Sequence, residues 1–365
     1  MRVWRLSRRI AGVLVIIVAA LALPATAGAH GPIDPAASSY RARISQIPSG
    51  LHAQVIDGDL RMWLRVDPGR TVVVLDYQGA PYLRFSRSGV AVNEASAMYY
   101  LNEVPPQIPP VDLGPHTAPR WHRVSSDHAY GWHDGRLHAL AATALAPGAT
   151  YVGRWRVPLQ IDGAAAAIAG GLYFAPSPSI VWFWPILVAL ACAVAVLRLR
   201  RPELDERAAR TLAAAALAAF AVAIAGQQLH GRPTVSVGQE ITLAAALAFV
   251  AWGGRGLVLH RHGWFTFFVI AAAAIWEGAS MISVLLDGYV LMALAPFVAR
   301  VAVVTCLSAG LALLPFVFAL AERPRGRRSG RRGSGAGAAG ELPGEDTDTD
   351  EDLQAWQSTA YETGH

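Results

Sequence analysis

Five long apolar runs follow Pro178, at residues 181–197, 209–225, 241–252, 264–286 and 290–320. A helix crossing a bilayer needs roughly 20 apolar residues, so the spacing predicts five spans, with the third borrowing flanking residues. The charges between the runs predict their direction. Arg198, Arg200, Arg201, Arg207 and Arg210 follow the first run, Arg255 and Arg261 follow the third, and an arginine-rich tail follows the fifth. Cytoplasmic loops carry the arginine excess, which puts the segment before the first run outside and the tail inside. Mean hydropathy is +0.34, with the apolar excess after residue 179, so the chain reads as half soluble and half membrane.

The N-terminus agrees with that orientation. Arg2, Arg5, Arg8 and Arg9 form a charged start, residues 10–23 an apolar stretch too short to span comfortably, and Ala27-Gly28-Ala29 a small-residue cleavage site. Residues 1–29 therefore read as a secretory signal peptide, whose removal leaves His30 as the first residue. An N-terminal histidine offers its free amine and its imidazole to one metal ion, a brace suited to tetragonal Cu(II). The other reading of His30 is an exposed, mobile terminus.

Residues 30–178 alternate apolar and polar over short stretches broken by Gly, Pro and Asp, which predicts an all-β exported domain, a sandwich of immunoglobulin-like type. Strands are expected at 40–47, 51–56, 60–66, 71–77, 82–86, 122–126, 137–145 and 150–159, with Asp57-Gly58 as a two-residue hairpin turn. The prolines of 104–119 predict an irregular surface excursion. The chain's two cysteines, Cys192 and Cys306, both fall in apolar runs. The exported segment therefore folds without disulfides, and any metal there takes nitrogen or oxygen ligands.

Five of the 11 histidines lie between His116 and His138. Imidazole and carboxylate together suit Cu(II), Zn or Ni. If 124–128 is extended, Asp127 and His128 point to opposite faces. The turn at Gly131 re-aims His133 and Asp134, so that His128, His133 and Asp134 converge near a strand end where the N-terminus docks. The alternative is structural: rings packed beside Trp and Tyr, Asp127 or Asp134 capping a turn, Arg136 in a salt bridge.

An exported β-domain that begins with histidine and later carries Val124-Ser125-Ser126-Asp127-His128 resembles the CopC family of periplasmic copper-binding proteins, and the membrane region resembles their fusions to CopD-type transport modules. The resemblance implies a CopC-like sandwich with Cu(II) held by His30, Asp127 and His128.

Within the membrane runs, Glu277 and Arg300 stand out, because an ionisable group at depth is costly unless paired or hydrated. Glu277 is expected about 15 Å inside its helix, Arg300 at similar depth, and the two as an ion pair, either a packing lock or part of an ion pathway. Residues 322–365 are too polar to fold and form a disordered cytoplasmic tail. All 31 basic side chains are arginine, a compositional bias and not a nucleic-acid signature. No nucleophile elbow, phosphate loop, HExxH or CxxC motif occurs.

The sequence thus points to a plasma-membrane protein divided at 1–29, 30–178, 179–321 and 322–365. Its partners are the lipid bilayer and copper, in copper acquisition or tolerance. A metal-free assembly protein and a copper-dependent oxidase are the alternatives. N-terminal sequencing of the purified mature protein is expected to begin at His30; any other start removes the brace.

Overall fold

The structure, a computed structural model, describes residues 35–103, 105–138, 145–259 and 263–322. The expected signal peptide, His30 and all but the first residue of the expected tail lie outside the described residues. Ahead of residue 178 come β1 (Ala37–Ser38), β2 (Tyr40–Gln46), β3 (Leu51–Ile56), β4 (Arg61–Val66), β5 (Val72–Leu75), β6 (Pro81–Ser86), β7 (Gly89–Asn93), a short helix α1 (Ala97–Leu101), β8 (Trp121–Ser125), β9 (Ala129–His133), β10 (Tyr151–Ile161) and β11 (Ala164–Phe174). One sheet has seven strands in the order β2-β11-β10-β5-β6-β7-β8, and a second has three, β3-β4-β9.

Period-two alternation aims Met62, Leu64 and Val66 of β4 and Trp155, Val157 and Leu159 of β10 into one core shared by both sheets, while Arg65, Arg154 and Arg156 face out. Each fully buried side chain such as Leu64 or Leu159 contributes about 1.5–3 kcal/mol. Strand β11 escapes the sequence pattern, because the stretch Ala164-Ala165-Ala166-Ala167 has no β-branched signature. It forms because it lies between β10 and β2. At Gly170 the Trp155 ring and the Arg43 carbonyl fill the space a Cβ would need. The strand expected at 137–145 is not seen at its start, where Gly135–Leu137 make a 3-10 turn; residues 139–144 lie outside the described residues.

The β3–β4 hairpin differs from its expected form. Ile56 pairs with Arg61, so the connection is a four-residue turn, with Asp57 (φ 59°) and Gly58 (φ 80°) both left-handed. Asp-Gly still supplies that backbone conformation, but the turn is larger because it reaches another part of the molecule.

After residue 178 come α2 (Trp184–Arg198), α3 (Pro202–Gln228), α4 (Val237–Val258), α5 (Trp264–Ser280), α6 (Ser283–Leu286), the two-residue β12 (Tyr289–Val290) and α7 (Pro296–Glu322). Among the described residues, four helical segments, Ile180–Arg198, α3, α4 and α7, are long and apolar enough to cross a membrane, and α5 is a shorter apolar helix. The helical segment that falls short of a span is therefore the fourth run and not the third. Run 241–252 extends over both flanks, starting from a Ser236–Gln239 capping box. Run 264–286 stops at Ser280.

Helices α3, α5 and α7 form the packed centre. Ala209, Ala213, Ala216 and Ala223 let α3 approach its neighbours, Gly278 of α5 meets Leu307, and Gly310 of α7 meets Ala271 and Ile275. Small residues at helix contacts permit such close approach. Helices α2 and α4 leave apolar faces exposed, including Leu187, Val188, Ile241 and Leu247, as contact with lipid tails requires.

The segment after Ser280 leaves the bundle to grip the β-domain. Strand β12 pairs antiparallel with β1, Ala37 against Val290 and Ser38 against Tyr289. Ser39 Oγ donates to Asp287 Oδ1 at 2.8 Å, and Leu291 N to the Ala36 carbonyl at 2.8 Å. At the 57–60 turn, Asp57 pairs with Arg61 (2.9 Å) and with Arg232 (2.9 Å) from the loop between α3 and α4; the Asp57 and Arg232 side chains are 2% and 7% exposed. Arg232 also donates to the carbonyls of Pro35 and Leu291. Sheets and helices accordingly belong to one compact unit, although the secondary structure changes near residue 178.

This contact also relocates the two membrane ionisable groups. Because α5 ends at Ser280 and α7 starts at Pro296, Glu277 and Arg300 each lie about one turn from the bundle end that carries the β-domain, not at mid-depth. They do not pair. Arg300 donates to the carbonyls of Val284, Asp287 and Gly288, and Glu277 Oε1 has no hydrogen-bond partner among the described residues. Arg300 thus holds the turn that presents Asp287 to Ser39. Gly288 sits directly against Ala175. Gly288→Val is expected to loosen the β-domain while both parts stay folded, read as faster amide exchange confined to residues 35–39 and 287–291; unchanged exchange there would show that the contact is not close-packed.

Candidate functional site

Strand β9 ends in the stretch Trp132-His133-Asp134-Gly135-Arg136-Leu137-His138, which closes on itself through one carboxylate. Asp134 is fully buried. Its Oδ2 accepts from Trp132 Nε1 at 3.0 Å and from an Arg136 terminal nitrogen at 2.7 Å. Its Oδ1 accepts from Arg136 Nε at 2.8 Å and from Arg136 N at 3.1 Å. The paired guanidinium fork is a strong, geometrically demanding arrangement, and Tyr77 Oη adds a contact by accepting from Gly135 N at 2.7 Å. A carboxylate so engaged has no lone pair left for an ion. The structure makes Asp134 a capping and salt-bridge residue, and its effect is to turn the chain so that His138 comes back over His133.

The two rings meet through their outer nitrogens. His133 Nε2 lies 3.0 Å from His138 Nε2, and His138 Nδ1 lies 3.1 Å from Asp59 Oδ2. His138 Nδ1 donates to the Asp59 carboxylate, and one hydrogen lies between the two facing Nε2 atoms. Asp59 sits in the same 57–60 turn that meets Arg232. His133 is placed twice more: it pairs with Arg61 across β4–β9, and its backbone N donates to Asn102 Oδ1 at 3.0 Å. Asn102 ends α1, which Ser96 caps while donating to the buried Asp76.

Burial favours the uncharged form of the His133 ring. Loss of hydration around its ring is the main cause of a pKa below the ordinary imidazole value; His138 and Arg61 add to it, against smaller opposing effects of Asp134 and Asp59. Two imidazoles, one backed by a carboxylate, are a donor set that suits a borderline cation. Nitrogens bound side by side at about 2.0–2.1 Å from one ion stand about 2.9–3.4 Å apart, and the observed 3.0 Å falls in that interval.

The other residues singled out by sequence do not join this pair. Asp127 and His128 form the crossover from β8 to β9, Asp127 exposed and the His128 carbonyl accepting from Val66 N at 3.0 Å. His128 and His133 stand at opposite ends of β9, about 17 Å apart along an extended strand, so the expected convergence of His128, His133 and Asp134 does not occur. Among the described residues no group of three or more His, Cys, Asp and Glu side chains is arranged to hold a metal ion. The histidine pair is thus two ligands short of a four-coordinate site. Sequence reasoning overlooked Asp59 and the partnership of His138; the signal available was Asp-Gly-Asp in a turn opposite a histidine-rich strand end. Comparisons with family models, curated proteins and solved structures gave no match.

His133 yields a pH prediction. With its folded-state pKa lowered, the unfolded chain binds more protons between that value and about 6.5. Stability therefore rises with pH across that window and no longer depends on this group above it. Proton NMR of the His133 ring is expected to show a midpoint below the ordinary imidazole value of about 6.5; a midpoint at or above it would show that the ring keeps its hydration.

Proposed function

We propose that this chain is a multi-pass plasma-membrane protein whose exported β-sandwich binds Cu(II) at His133 and His138, in copper acquisition or tolerance. The observation that carries the reading is the approach of two imidazole Nε2 atoms to 3.0 Å, with Asp59 orienting one ring through its Nδ1. Nitrogen ligands suit Cu(II), and the cysteines, Cys192 and Cys306, belong to α2 and α7.

The brace expected at His30 supplies the missing donors. Pro35 binds Arg232, Arg232 pairs with Asp57, and two residues further along the same turn Asp59 holds His138. Four residues stand between His30 and Pro35, and the five links span at most about 18 Å. The amine and imidazole of His30 with the two rings make a four-nitrogen set. This assignment replaces Asp127 and His128 of the CopC-like pattern.

The membrane reading has five spans, α5 completing the set with help from flanking residues. The β-domain meets the ends of α3 and α5 and the start of α7, while Arg198 ends α2 at the opposite side, with Arg200 and Arg201 between α2 and α3. The arginine rule then sets the β-domain outside and the tail in the cytoplasm.

Cu(II) titration of the full chain in detergent tests the site. His133→Ala and His138→Ala are each expected to weaken binding at least about tenfold, and Asp59→Asn, which leaves both rings, about 10–100-fold. His128→Ala and His52→Ala should stay within about twofold, and one extra residue ahead of His30 should act like a lost ligand. Binding that survives replacement of both His133 and His138 would overturn the assignment, and no binding in the unaltered protein would leave a metal-free assembly role.

A further inference from the structure

One short turn touches both the histidine pair and the helical region. Residues 57–60 carry Asp59, which holds His138, and Asp57, which holds Arg232 of the α3–α4 loop. Two further links tighten the connection. The Leu60 carbonyl accepts from Asp134 N at 3.4 Å, and Arg61, opposite His133, places its guanidinium on Asp57. The groups facing the turn are therefore Arg61 from β4, His133, Asp134 and His138 from β9 and its extension, and Arg232 from the helical region.

Resting on the metal-binding reading above, we propose that this turn couples occupancy of the histidine pair to the seating of the β-domain on the helices, so that the membrane region registers whether the exported site is filled. A cation on the two Nε2 atoms displaces the hydrogen between them, which passes to solvent or, within His133, to Nδ1; His138 Nδ1–H then becomes a stronger donor and clamps Asp59. Positive charge next to His133 also drives Arg61 towards Asp57. Both effects hold the turn in its observed form, with Asp57 and Gly58 left-handed, in which Asp57 is presented to Arg232. Arg232 is nearly enclosed, and a guanidinium left there without its carboxylate is costly. The turn therefore sets how firmly the α3–α4 loop is held. Coupling of this kind is reciprocal: whatever factor the ion adds to docking, docking adds to the ion's affinity.

The test is amide hydrogen exchange on the full chain in lipid nanodiscs, with and without Cu(II), over residues 57–60 and 229–236. Exchange in both segments is expected to slow at least about fivefold, the lower end of ordinary coupling factors, and Asp57→Asn is expected to weaken Cu(II) binding by a similar factor while leaving both rings in place. Copper binding that protects 57–60 and leaves 229–236 unchanged would overturn the coupling and leave the metal site standing. Failure to bind copper at all would overturn both. The comparison within the unaltered protein decides the matter even where the Asp57 variant fails to fold.

Discussion

A buried carboxylate shared between two arginines organises this molecule. Asp57 accepts from Arg61 of its own hairpin and pairs with Arg232 from the helical region, and both Asp57 and Arg232 are almost wholly removed from water. Such a pair adds little net stability, because separating the two regions would return both charges to solvent. Its effect is on registry. A seating that kept either charge buried without its partner would cost about 3–5 kcal/mol, which favours the observed one. The β1–β12 pairing and the Ser39–Asp287 hydrogen bond then complete a contact that only one arrangement satisfies.

The same turn explains why the histidine pair lies where it does. Two of its carboxylates point to different tasks, Asp57 to the helices and Asp59 to His138. Close by, Asp134 spends all its hydrogen-bonding capacity on Trp132 and Arg136. These acidic residues orient groups and do not compete for an ion. The nitrogens are thereby left as the available donors, on rings whose orientation is fixed by β9, α1 and the turn.

The helical region shows a parallel division of labour. Alanines and glycines at the α3, α5 and α7 contacts give close packing without bulky side chains, and the apolar faces of α2 and α4 are left outward. The break after Ser280 ends the fourth apolar run early. It releases the segment that grips the β-domain, and Arg300 holds that segment through three carbonyls instead of pairing with Glu277.

The sequence by itself determined the division into sheets and apolar helices, because side-chain alternation and unbroken apolar runs are local properties. It also marked the histidine-rich stretch and the Asp-Gly turn. Strand β11 was hidden, since its alanines become a strand only between two neighbours. The pairing of His133 with His138, the role of Asp59, the engagement of Asp134 and the meeting of Asp57 with Arg232 were decided by tertiary structure alone. Each joins residues that adjacency does not relate: Asp57 and Arg232 are brought together by chain reversal, and which of two neighbouring carboxylates faces a ring depends on the hand of one turn. A linear pattern names the donors present, and only the closed chain decides which of them still have a lone pair to offer.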